Sequence, residues 1–339
     1  YIAFLRKALK EAGYPQVPVV SLNVSGLEGN PGFKITPKLV DGLLKACTWG
    51  DLLMSVTQRI RPYEINKGET NSVYNKWQKR LYNAIVKNDR KNLKLKKVIE
   101  QIIADFDAIP IDETIKKPKV GVVGEILVKF HPDANNNIVD VIENEGAEAV
   151  MPGLADFMLY CLYNNNFKHE NLGTKASTAR LCNLAIWGIE SYRKYAEKLM
   201  KANPKFASRA PGHIREIADG AKGVLQLGHC TGEGWFLTGE MIELIKSGVP
   251  NIACVQPFAC LPNHVTGKGM IKELRRQYPQ ANIVAVDYDP GASEVNQLNR
   301  LKLMITVAFE NMRREEELNK IASEAKEKSA EPIKEPAKI

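Results

Sequence analysis

Long apolar runs are missing from this 339-residue sequence: nowhere do about 18 apolar residues follow one another, the length a helix needs to cross a bilayer, which excludes membrane-spanning helices. Cysteine is scarce and scattered, at Cys47, Cys161, Cys182, Cys230, Cys254 and Cys260. With no close spacing and no secretory signal, a disulfide scaffold is excluded, and a reducing cytoplasm is the expected setting. No P-loop occurs, and Gly232-x-Gly234 lacks the third glycine of the dinucleotide fingerprint, so nucleotide binding by this chain is not expected. No aromatic residue interleaves with Lys87, Arg90, Lys91, Lys94, Lys96 and Lys97. Most of these share one helix face, which reads as solvated surface and argues against nucleic acid as a partner.

What is present is an ordinary globular composition, 44% hydrophobic and 25% charged, in a chain long enough for two cores. Lys and Arg exceed Asp and Glu by 47 to 39, so the net charge of +8 favours anionic partners such as phosphates or CoA. A homo-oligomer is compatible with all of this. Ile2, Leu5, Leu9 and Ala12 fall on one helical face, and Gly13 follows as a stop. With no initial Met and no strand ahead of this helix, the chain is expected to be a fragment cut from a longer protein.

The pattern along the chain predicts an α/β protein. Residues 1–36 read as the remnant of a first α/β domain: a strand over Val17–Leu22, then a loop with Gly26, Gly29, Asn30, Pro31 and Gly32. Residues 37–117 read as a helical connector, with Leu39, Leu43, Leu44, Leu52, Leu53 and Val56 at helix spacing. A second α/β domain is expected over 118–312, opening on the β-rich run Lys119–Gly124. Further strands are predicted at Ala149–Met151, Gly223–Leu227, Ile252–Gln256 and Ile283–Asp287. Helical segments alternate with them, including a long excursion over 176–207, which predicts a parallel, doubly wound, flavodoxin-like sheet. A long helix begins near Asn296, and 313–339 is read as a charged helix end and solvated tail.

Ligands of open α/β sheets bind at the carboxyl ends of the strands, so three loops draw attention. The first, Gly228–Glu240, is glycine-rich and carries His229, Cys230, Glu233 and Trp235. The second carries Cys254, Cys260, His264 and Lys268. Cys254 is expected to point into the sheet as a buried hydrophobe, whereas Cys260 lies beyond the strand end, where Lys268 and helix-start N–H groups would favour a thiolate. The third offers Asp287, Asp289, Ser293, Asn296 and Arg300, either as turn and cap residues or as a ligand-facing carboxylate site. His131 reads as a surface-loop histidine, and Arg61-Pro-Tyr-Glu64 as an interhelical ion pair or part of an interface.

The loop Gln256-Pro-Phe-Ala-Cys-Leu-Pro-Asn-His264, with Ala285-Val-Asp-Tyr-Asp-Pro-Gly291 and Asn296-Gln-Leu-Asn-Arg300, resembles the C-terminal region of the large acyl-CoA dehydratase activase-related proteins. Gly232–Glu240 and Val120–Glu125 extend the likeness over most of residues 1–312. This group is similar in turn to 2-hydroxyacyl-CoA dehydratase subunits. The resemblance implies a 4Fe-4S cluster shared between two α/β domains, with Cys260 as the last ligand and the others in an earlier domain. In this chain the site is therefore expected to be incomplete. It also implies that Lys268 and His264 tune the cluster and that Glu233 with Trp235 lines the cleft. The implied chemistry is ATP-driven injection of one low-potential electron to reduce an acyl-CoA thioester, with ATPase activase modules or dehydratase-type subunits as partners. Two other readings stand beside it: a scaffold that keeps the dehydratase fold without its chemistry, and a thiol enzyme using Cys230 with His229.

Overall fold

The protein is described by a computed structural model over residues 2–20, 34–89, 94–289 and 291–330, with side chains through 323. It divides into two compact units, Tyr1–Leu44 and Lys45–Ile339. The first contains α1 (Ile2–Glu11), which buries none of its residues, and the start of α2 (Pro37–Ile60). Gly13 ends α1 in the left-handed conformation at φ 86°, as its position suggested. The expected strand is not found: residues 17–20 form no strand, and Val17 and Val20 are exposed. Pro18 lacks the N–H a ladder requires. Ser21 and Leu22, the glycine-rich loop after them, and Arg90 and Lys91 lie outside the described residues.

In the second unit the connector is helical as expected. The rest of α2, α3 (Glu69–Val86) and α4 (Leu95–Asp107) precede β1 (Lys119–Gly124), α5 (Ile126–Phe130), α6 (Ile138–Asn144) and β2 (Glu148–Val150). There follow α7 (Leu154–Leu172), α8 (Ala176–Ala202), α9 (Ile214–Lys222), α10 (Gly234–Lys246) and β3 (Asn251–Gln256). The last described elements are α11 (Leu261–Thr266), α12 (Ile271–Gln277), β4 (Asn282–Asp287) and α13 (Glu294–Ala330). The connector builds its own core: Trp49, Val56, Ile60, Trp77, Ile99, Ile102 and Phe106 pack with Met200 of α8 and with Phe206. Polar ties join it to the sheet domain. Arg61 donates twice to Glu143 of α6, at 2.6 and 3.0 Å, and Tyr63 and Arg209 both donate to Glu148 of β2 at 2.6 Å. Glu64 instead accepts from Gly68 N and Thr70 N at the start of α3, so the Arg61 and Glu64 charges serve different neighbours.

The four strands are all parallel, in the order β2-β1-β3-β4, which is the flavodoxin-like order. Side chains alternate between two covered faces. Val120, Val122, Ala253 and Val255 meet α6 and α13 on one face, and Val123, Ile252 and Cys254 meet α10 and α12 on the other. Burial on both sides explains why these strands read as continuous apolar runs. Residues 223–227 are not a strand. They turn directly off α9, with Val224 N and Leu225 N donating to Ala221 O, and their apolar side chains fill two cores from a loop. A short apolar run cannot by itself distinguish strand from core-filling turn.

Candidate functional site at the strand ends

In this strand order the chain leaves β1 toward β2 and leaves β3 toward β4, so the loops after β1 and β3 diverge and open a crevice at their carboxyl ends. Gly124 lets the backbone hug β3 before departing. At φ 148° it holds a position where a Cβ would lie 1.8 Å from Val255 O, and Glu125 N then donates to that same oxygen at 2.9 Å. Glu125 caps α5 by accepting from Val128 N. After β3 the chain turns through Ala259, a non-glycine residue at φ 61°, whose N–H donates to His264 Nε2 at 3.2 Å. Cys260 takes the N-cap position of α11 and is half-buried.

The glycine-rich loop between α9 and α10 closes the third side. Gly232 packs against Pro262, where an added Cβ would lie 2.8 Å from the ring. Glu233, buried at 5% exposure, bridges both walls. One carboxylate oxygen accepts from Ile126 N at 3.2 Å and the other from Asn263 Nδ2 at 2.7 Å. The same Asn263 amide lies 3.1 Å from Cys260 Sγ, as a donor to the sulfur. Burial raises the Glu233 pKa above the ordinary carboxyl value, and the neighbouring Glu125 pushes the same way, against the hydrogen bonds it accepts. Asn263 Oδ1 and Gln256 Oε1 are buried without a hydrogen-bond partner.

Of the residues singled out in the sequence, Cys260, Glu233 and His264 converge here. Lys268 Nζ lies 3.5 Å from Asp287 Oδ2, and Asp287 Oδ1 accepts from Gln256 Nε2 at 2.7 Å, so the third loop joins through an ion pair. Trp235 does not line the cleft. It is fully buried, donates from Nε1 to Asn164 at 2.7 Å, and packs edge-on against Tyr160 and Tyr163, because α10 is covered on nearly every side. Cys254 is buried as expected, and burial pushes its thiol up to about 12. Cys230 packs against the aromatic cluster around Trp235, and no hydrogen bond joins it to the His229 ring, which gives the thiol-enzyme reading no geometry. His131 is exposed after α5, one helix beyond the strand. Arg300 donates to Ala285 O, a structural tie from α13 to β4.

Asn263 and Gln256 were not singled out in the sequence. For Asn263 a signal existed, since a residue three after a helix-capping cysteine shares its face of the helix. As donors for an iron–sulfur cluster, the side chains present here offer one thiol. Among the described residues no group of three or more His, Cys, Asp or Glu is placed to hold a metal ion. The set fits one contributed ligand, supported by the Asn263 amide, and does not fit a complete cluster site. The described helices include none long and apolar enough to cross a membrane. Comparison with protein-family models, with curated proteins and with solved structures gives no match for this chain.

Proposed function

We propose that this chain contributes the Cys260 thiolate to a 4Fe-4S cluster of a 2-hydroxyacyl-CoA dehydratase or activase-like electron-transfer system, the remaining ligands coming from outside the described residues. The observation that carries the reading is the Cys260 sulfur at the β1/β3 crevice with Asn263 Nδ2 3.1 Å away. When bound, such a cluster supplies one-electron reduction at low potential. This chain's part is to hold and tune one ligand. The Asn263 amide donates to the sulfur and orients it. Glu233 fixes that amide in place from the neighbouring loop, and His264 ties down the Ala259 turn that presents Cys260. ATPase activase modules or dehydratase-type subunits are the partners this reading calls for, and acyl-CoA thioesters its substrates.

A second reading, a binding or scaffold module without redox chemistry, is favoured by the donor set, in which Cys260 has no companion ligands among the described residues. Iron and acid-labile sulfide, measured after anaerobic reconstitution of the natural full-length protein, separate the two. The cluster reading expects iron that Cys260→Ser loses and Cys230→Ser keeps. Equal iron in wild type and Cys260→Ser, or none in either, sinks it in favour of the scaffold.

A further inference from the structure

The first residues of β1 and β2 lie at the amino end of the sheet, opposite the Cys260 crevice, and border a groove of about 460 Å³. Five cations line it, Arg59, Lys116, Lys117, Lys119 and Lys205, against three acids, Asp112, Glu113 and Glu148. The excess of positive charge is larger than this count, because Glu148 is already occupied. Its Oε1 accepts from Arg209 and its Oε2 from Tyr63, both at 2.6 Å. Lys119 stands in register beside Glu148 across the β1–β2 pair, yet both carboxylate oxygens are engaged elsewhere. Among the described residues Lys119 Nζ makes no hydrogen bond and no ion pair.

Arg59 and Lys117 are similarly placed. Arg59 donates from Nε to Lys205 O at 3.0 Å and lays its guanidinium over the Tyr63 ring, 4.9 Å from the centroid. Lys117 donates to Gly146 O at 3.2 Å. Neither has a carboxylate partner among the described residues. Lys116 and Lys205 differ, since they meet Glu316 at 3.3 Å and Asp107 at 3.7 Å. Of the other acids, Asp112 accepts from Thr114, and Glu113 is exposed. Arg59, Lys117 and Lys119 are all half-buried, so water and salt screen their charges incompletely. Burial lowers the Lys119 pKa, with Arg209 and Arg59 pushing the same way and Glu148 opposing. Burial also lowers that of Lys117, with Lys67 pushing the same way and Glu143 and Glu148 opposing.

Three half-buried cations without carboxylate partners, facing one groove, suit an anion of more than one charge. A carboxylate offers two oxygens in one plane and a single charge, whereas a phosphate ester offers three oxygens in three directions and a second charge. Ile111, Ile115 and Met312 supply apolar wall beside the cations. We propose that this groove binds a small phosphorylated molecule, with Arg59, Lys117 and Lys119 on the phosphate and the apolar wall against its organic part. The proposal is independent of the Cys260 reading, since the two places lie at opposite ends of the strands.

Pyrophosphate is the probe, titrated into the full chain in a phosphate-free buffer of low ionic strength and followed by calorimetry. So few atoms put the expected Kd on the order of 0.1 mM. Lys119→Met strands no partner and should weaken binding by about tenfold or more. Lys97→Met removes the same net charge from an exposed position of α4 outside the groove, and should change the Kd by less than about twofold. A second readout needs no variant: saturating pyrophosphate should protect Lys117 and Lys119 from acetylation by acetic anhydride and leave Lys97 reacting as before, read by mass spectrometry. No saturation by about 10 mM, equal changes of Kd in the two variants, or no protection of Lys117 and Lys119 would overturn the proposal. A single-stranded oligonucleotide that displaces pyrophosphate at lower concentration would overturn it in favour of nucleic acid.

Discussion

Replacing Lys129 with Met should destabilise the protein by about 3–5 kcal/mol at pH 8, and by less at pH 6. Lys129 Nζ lies 2.8 Å from Glu240 Oε1 with the two side chains 2% and 1% exposed, so neither charge has water to fall back on. The pair joins α5, which leaves β1, to α10, which carries Glu233 to the crevice. Burial has already raised the Glu240 pKa from 4.5 to about 7, against the pull of Lys129. A carboxyl raised in the folded state holds its proton while the unfolded chain has released it. Its contribution to stability therefore falls as pH rises from about 4.5 to about 7 and is flat above. Without Lys129 the folded pKa climbs further, and the fall continues past pH 7 at about 1.4 kcal/mol per pH unit. The gap between wild type and Lys129→Met should thus widen by about 1 kcal/mol or more from pH 6 to pH 8. Glu240→Leu added to Lys129→Met should recover much of the loss, since it removes the stranded carboxyl. Urea unfolding of the three proteins at pH 6, 7 and 8 measures this. A Lys129→Met protein within about 1 kcal/mol of wild type at pH 8, or a gap that does not change with pH, refutes the reasoning.

Three further outcomes are expected. Asn263→Ala removes the donor to Cys260 Sγ and leaves one buried Glu233 oxygen without its partner, and should cost about 1–3 kcal/mol in urea unfolding. Asp51→Ala strips two N–H partners from the start of α7 and should cost about 1–2 kcal/mol in urea unfolding. Gly153→Ala should mimic it, because a Cβ there would lie 2.5 Å from Asp51 Oδ2. Trp235→Phe strands the Asn164 acceptor and loosens the contact with Tyr160, so a loss of about 1–3 kcal/mol is expected, measured by near-UV circular dichroism and thermal unfolding.

The sheet was legible in the sequence because its strands are covered on both faces. Runs such as Val120–Val123 and Ile252–Val255 therefore carry apolar residues at consecutive positions, bounded by turn residues. The same rule failed at Gly223–Leu227, where the apolar residues belong to a turn that plugs two cores, and at Val17, which has no described partner strand. The Cys260 loop was legible because it follows β3 and combines proline, histidine and cysteine in a pattern that no buried strand needs. The bridge through Glu233 was not. It depends on α10 entering from α9 at the strand ends, and on an asparagine that faces Cys260 only once α11 forms. Trp235 was placed in the cleft by the family resemblance alone, whereas here the helix begins one residue earlier and turns the ring into the core.

The most direct test of the Cys260 reading is a potentiometric EPR titration of the anaerobically reconstituted full-length protein beside its Cys260→Ser variant. The account predicts a low-potential reducible signal in wild type that the variant loses or shows at a shifted midpoint, as a change of ligand atom requires. Superimposable signals and midpoints in the two proteins would contradict it.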